Sequence, residues 1–80
     1  MKEVFVKKYW EEEDVLFYIH FRKGEAIRQV EKTSEGVTFL STESHLQEGS
    51  MLYDQSLDEL DLVESDFISK YEFDEIWDNR

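Results

Sequence analysis

Cysteine and proline are both absent from the 80-residue chain. Without cysteine, no disulfide or thiolate metal site can staple the fold. That absence fits a reducing compartment, and a cytoplasmic location is expected. Without proline, and with no repeat or low-complexity tract, nothing marks a hinge or linker. Long apolar runs are missing too. Val15-Leu16-Phe17-Tyr18-Ile19 is the longest, far short of the ~20 residues that span a bilayer. The start, Met1-Lys2-Glu3-Val4, lacks the layout of a signal peptide.

Basic residues are also scarce, but only in one half of the chain. Residues 1–40 hold eight acids against seven bases, whereas residues 41–80 hold twelve acids against Lys70 and Arg80 alone. Nearly the whole net charge of −11 therefore lies after Leu40. Direct binding of that half to nucleic acid is disfavoured, because phosphate contacts need Lys and Arg. Anionic membrane surfaces are disfavoured for the same reason. The natural complement is a basic protein surface.

What is present is apolar and aromatic. With 40% hydrophobic and 15% aromatic residues, the chain can build one core, unlike a disordered acidic tail. Dividing it would leave two pieces too small to do so, so residues 1–80 form one expected domain.

The first half reads as strands. Val4-Phe5-Val6 opens one, and Tyr9-Trp10 carries it to the acidic run Glu11–Asp14. Alternation then places Val15, Phe17, Ile19 and Phe21 on one face, the expected core face. Leu16, Tyr18, His20 and Arg22 fall on the other, an amphipathic face. Lys23-Gly24 predicts a hairpin turn. In Glu25–Lys32, a β-bulge near Arg28 would bring Ile27 and Val30 to one face. Ser34-Glu35-Gly36 predicts a second turn, leading into Val37-Thr38-Phe39-Leu40.

Residues 41–56 read as a surface loop carrying Met51-Leu52-Tyr53. Leu57, Leu60 and Val63 fit either a helical turn or an edge segment. The last element is a helix. Ser69 and Glu72 have capping-box spacing, and Phe73, Ile76 and Trp77 form one apolar stripe. Phe67 and Ile68 stand ready as a staple, with Asp74, Glu75 and Asp78 toward solvent. The expected fold is α+β: an antiparallel meander of three or four strands with the C-terminal helix packed on one face. Phe17, Ile19, Phe21, Val30, Phe39, Phe73, Ile76 and Trp77 are its expected core.

Ile27-Arg28-Gln29-Val30-Glu31 before Gly36, and Ile68-Ser69-Lys70-Tyr71-Glu72-Phe73 with Trp77, resemble a family of small bacterial proteins. In that family an Arg-x-Val-Glu strand precedes a glycine turn, and an Ile-Ser-x-x-Glu-Phe helix carrying a tryptophan ends the domain. The resemblance spans Val15 to Trp77 and implies the fold outline; it brings no activity with it.

Recognisable catalytic machinery is wanting, and no enzyme is expected. His20 and His45 read as ordinary surface histidines without a positioned partner or pocket. No Gly-x-Ser-x-Gly elbow, phosphate-binding glycine loop or His-Glu-x-x-His occurs. A calcium loop begun at Asp54 fails, because Glu59 stands where glycine is required and Ser65 where a bidentate glutamate is. No cofactor or metal is expected.

Partner binding is the remaining reading. Asp54, Asp58, Glu59, Asp61, Glu64 and Asp66 form an acidic belt, continued by Glu72, Asp74, Glu75 and Asp78. It reads either as a solvated face that keeps the protein soluble or as a docking surface for a basic groove. Trp10, Tyr18 and Tyr53 are the aromatic candidates for partial exposure and partner contact. The expected function is a protein-binding module, of the immunity, antitoxin or anti-defence inhibitor type, covering the basic surface of a nuclease or other nucleic-acid-handling protein. The alternative is a structural or accessory subunit acting through its sheet face or edge.

Overall fold

In a computed structural model of the protein, residues 3–42, 46–47, 50–51 and 62–79 are described. Four strands run in sequence: β1 (Glu3–Trp10), β2 (Val15–Arg22), β3 (Glu25–Thr33) and β4 (Gly36–Ser41). Two short strands follow, β5 (Leu46–Gln47) and β6 (Ser50–Met51), paired with each other. Residues Glu64–Asp66 form one 3-10 turn. Then β7 (Phe67–Ile68) adds to the free side of β1, and α1 (Lys70–Trp77) closes the fold. The main sheet is antiparallel with order β4-β3-β2-β1-β7. It has five strands rather than three or four, because Phe67 and Ile68, expected only as a staple, pair with Val6 and Phe5. The expected loop over 41–56 contains the β5–β6 hairpin. No helix among the described residues is long and apolar enough to cross a membrane.

Local chemistry explains the strand order. Lys23 and Gly24 both take positive φ, 54° and 83°, and join the Arg22–Glu25 pair. Positive φ at both central positions is the tight turn whose twist suits a hairpin. In the separate turn between β1 and β2, Asp14 also has positive φ, a conformation Asp tolerates better than most residues, and its carboxylate accepts a hydrogen bond from the Tyr9 hydroxyl. The register slips between His20 and Phe21, so His20 faces Arg28 while Phe21 faces Ala26. The bulge therefore lies where the sequence places it, with a different result: Arg28, not Ile27, shares the face of Val30.

The helix lies over the face that sequence alternation marks as the wet one. Leu16, Tyr18 and His20 of β2 stand in rows with Phe5, Val30 and Phe39, and this is the cluster that Phe73, Ile68, Ile76 and Trp77 join. Phe73 packs on Phe5, and Trp77 meets Phe39 edge-on, so α1 crosses from the β7 side toward β4. The opposite face holds Val6, Ile19, Phe21 and Ala26, with Val4, Phe17 and Leu62 against them. The expected core thus belongs to two clusters rather than one. Phe21, Val30 and Phe73 are fully buried, as are Val6 and Leu40, which the alternation did not single out.

Eight residues make a helix too short to persist alone. Its start is fixed by Ser69, whose hydroxyl accepts the Glu72 N–H at 3.0 Å, while the Glu72 carboxylate lies 3.7 Å from Lys7 on β1. Replacing Ser69 by alanine is expected to lower unfolding free energy by about 1 kcal/mol. Phe73→Ala, which empties the centre of the helix–sheet contact, is expected to cost roughly 3–5 kcal/mol. Urea unfolding of both variants checks the order; Ser69→Ala costing more than Phe73→Ala would contradict it.

Candidate functional site

The acidic belt divides once it is placed on the fold. Asp66 accepts the Val63 N–H at 3.0 Å and lies 3.3 Å from Lys8. These two contacts, the backbone hydrogen bond foremost, hold its carboxyl below the ordinary range. Asp74 is likewise engaged, by Lys70 one turn earlier and by Arg28 of β3 at 3.2 Å. Its carboxyl is lowered first by the Lys70 hydrogen bond and then by Arg28. Neither residue is the free, solvent-facing docking group that the sequence suggests. Each ties a C-terminal element to the sheet. Glu64, Glu75 and Asp78 are exposed, and none has an ion pair with a described residue. Asp54, Asp58, Glu59, Asp61, Tyr53 and His45 lie outside the described residues.

Of the aromatic candidates, Trp10 is 49% exposed at the end of β1, its ring 6.1 Å from Phe17. Tyr18 is 7% exposed, lying beneath the helix cluster with Lys32 over its ring. It cannot anchor a partner, and of the amphipathic face expected from Leu16, Tyr18, His20 and Arg22, the first three lie under α1 while Arg22 is exposed. Other exposed aromatics are Tyr9 beside Trp10, Phe67 in β7 and Tyr71 on the outer side of α1.

The described residue furthest from its expected role is His20. Far from lying on the surface, it is 2% exposed, stacked on Phe5 at 4.2 Å and tilted against Phe73 at 5.8 Å. Its Nε2 lies 2.7 Å from the Glu3 carboxylate, and its Nδ1 lies 2.9 Å from Arg28 Nε. An arginine can only donate, so Nδ1 accepts and the ring proton sits on Nε2, donated to Glu3. The imidazole is neutral in this arrangement. Burial is the largest influence on it and lowers its pKa from 6.5, opposed by Glu3 and assisted by Arg28 and Arg22. Glu3 in turn is held below its ordinary value, first by the His20 hydrogen bond and then by Arg22.

Arg28 continues the chain of contacts. Besides His20 and Asp74, its guanidinium lies over the rings of Phe73 and Trp77, 4.8 and 5.2 Å from their centroids. A line of polar groups therefore runs Arg22–Glu3–His20–Arg28–Asp74–Lys70, from the outer end of β2 through the sheet face to the helix. Among the described residues no buried side-chain polar atom lacks a partner. Both His20 nitrogens are occupied, and its ring packs against Phe5 and Phe73, which also touch each other. The grouping holds structure together by joining β1, β2, β3 and α1.

Sequence reasoning missed this network because its members are 17, 8 and 46 positions apart. One signal pointed to part of it. A hairpin pairing Arg22 with Glu25, plus one bulged residue, brings Arg28 opposite His20.

Comparison with protein-family models, curated proteins and solved structures finds no match for this chain.

The shifts fix the sign of the pH response. His20, Glu3, Asp66 and Asp74 all have lowered pKa values in the fold, so the unfolded chain binds more protons and stability is lost as pH falls. His20 acts first, below its ordinary 6.5, and the carboxylates follow below 4.5 and 3.8. Relief of repulsion among exposed carboxylates begins only near their own range, about pH 4. The urea midpoint at fixed ionic strength is expected to fall between about pH 7 and pH 5; a rise over that interval would contradict the assignment.

Proposed function

We propose that the protein is a small acidic protein-binding module, an inhibitor of the immunity, antitoxin or anti-defence kind that covers a basic, nucleic-acid-handling surface of a cytoplasmic partner. One observation carries the reading: five of the nine bases are engaged by the molecule's own carboxylates. Lys7, Lys8, Arg22, Arg28 and Lys70 all stand in ion pairs with its own carboxylates, in a chain that carries 20 acids against nine bases. The surplus is left at the surface, where Glu11, Glu12 and Glu13, Glu64, Glu75 and Asp78 are all exposed. Such a surface steers a basic partner into encounter and repels polyanions. Trp10, next to Glu11–Glu13, supplies an aromatic of the kind enriched at interface centres. Asp54, Asp58, Glu59 and Asp61 remain belt members on the strength of sequence, whereas Asp66 and Asp74 belong to the fold's own contacts.

A structural or accessory subunit is the second reading, supported by a different feature. Among the described residues β7 pairs only with Phe5 and Val6 of β1, and Val63 and Phe67 are half exposed beside that edge. A partner docking there would bind through apolar area and tolerate salt.

Charge dependence separates the two. With a partner captured from the native host, the association rate is expected to fall roughly tenfold or more between low and physiological salt. The triple variant Glu64→Lys, Glu75→Lys, Asp78→Lys should slow association further while leaving the fold intact. Two of its sites sit at the helix C-terminus, where positive charge is favourable and the last turn carries no base. A rate insensitive to both salt and this variant would reject the inhibitor reading in favour of the second.

A further inference from the structure

We infer that His20 is a proton-operated latch for the C-terminal helix: a second proton on its ring expels the Arg28 guanidinium and frees α1, while the sheet stays folded. The argument starts from the two ring nitrogens. Nε2 already carries a proton toward Glu3, so an added proton can go only to Nδ1, where the Arg28 Nε–H points from 2.9 Å. Two donors and two positive charges would then face each other in a buried site, an arrangement that cannot persist. Arg28 is the member that can leave. Its side chain is partly exposed, whereas the imidazole is buried, stacked on Phe5 and in contact with Phe73.

What leaves with Arg28 is the polar share of the helix attachment, beside the apolar packing of Phe73 on Phe5 and Trp77 on Phe39. Its guanidinium makes the Asp74 ion pair and covers Phe73 and Trp77. The ion pairs Glu72–Lys7 and Lys70–Asp74 remain, but the first is half exposed and the second is internal to the helix, so neither fastens α1 firmly. The sheet has independent support. Its β1–β4 ladders are continuous, and its second face is packed by Val6, Ile19, Phe21 and Ala26. Release of α1 would uncover the apolar row of Phe5, Tyr18, Val30 and Phe39.

The groups facing the imidazole set where this happens. Glu3 from β1 favours the charged ring, while Arg28 from β3, Arg22 from β2 and burial oppose it. Asp74 and Lys70 of α1 act on it through Arg28. Glu3 is thus the counter-ion that favours the second proton, and burial is the largest influence against it.

Amide hydrogen exchange read by NMR tests the latch on the whole chain. Between about pH 7.5 and pH 5, protection factors of α1 amides are expected to fall at least roughly tenfold more than those of β2 and β3. The midpoint should coincide with the His20 imidazole titration in the same samples. His20→Gln should abolish the selective loss and His45→Gln should leave it unchanged. Arg28→Gln should show low α1 protection already at neutral pH, with little further change on acidification. Parallel loss from helix and sheet, or a midpoint distinct from that of His20, would overturn the proposal. So would a selective loss that survives His20→Gln. Should His20→Gln fail to fold, the midpoint match and the Arg28→Gln profile decide.

Discussion

A neutral imidazole, hydrogen-bonded at both nitrogens and packed against two phenylalanine rings, is the constraint on which the helix–sheet contact depends. His20 needs an acceptor at Nε2 and a donor at Nδ1, and Glu3 and Arg28 supply them. Arg28 in turn brings a positive charge under the helix, which is tolerable only because Asp74 answers it and two aromatic rings lie beneath it. Each member is satisfied by the next. Removing any one would strand a buried donor, acceptor or charge, the costliest defect such an interior can carry. The apolar residues around the network could pack in several arrangements; the hydrogen bonds single out the one in which Phe73 sits over Phe5.

The same network decides how the charge of the molecule is distributed. A chain so rich in acid has few bases, and the fold uses them to fasten its C-terminal segment: Lys8 to Asp66, Lys7 to Glu72, Arg28 to Asp74. Exposed pairs of this kind contribute little stability each. Their larger consequence is for the surface, since a base held against an internal carboxylate offers nothing to an anionic ligand. Internal cohesion and the negative exterior are therefore two results of one allocation of Lys and Arg.

Much of the architecture was legible because it rests on local chemistry. The Lys23-Gly24 turn, the bulge in β3, the Ser69 cap and the Phe73–Trp77 stripe each follow from residues a few positions apart, and each is present. The choice of face was not legible. In β2 both sets of alternating residues are largely apolar, and a strand covered on both sides gives no period-two signal of which side meets the helix. His20 and Arg22 made one set look wet, whereas His20 is buried by partners brought from β1 and β3. Tyr18 was misjudged for the same reason, and Asp66 and Asp74 because a carboxylate in sequence does not reveal a base arriving from a distant strand. β7 escaped notice because two residues are too few to show alternation.

The protonation pattern of the His20 ring is the most direct test of this account. Nitrogen-15 NMR of the imidazole at neutral pH distinguishes a bare ring nitrogen from a protonated one. The account requires Nδ1 bare and accepting from Arg28, with Nε2 protonated toward Glu3. A ring protonated on Nδ1, whether as the other neutral tautomer or as imidazolium, would contradict it.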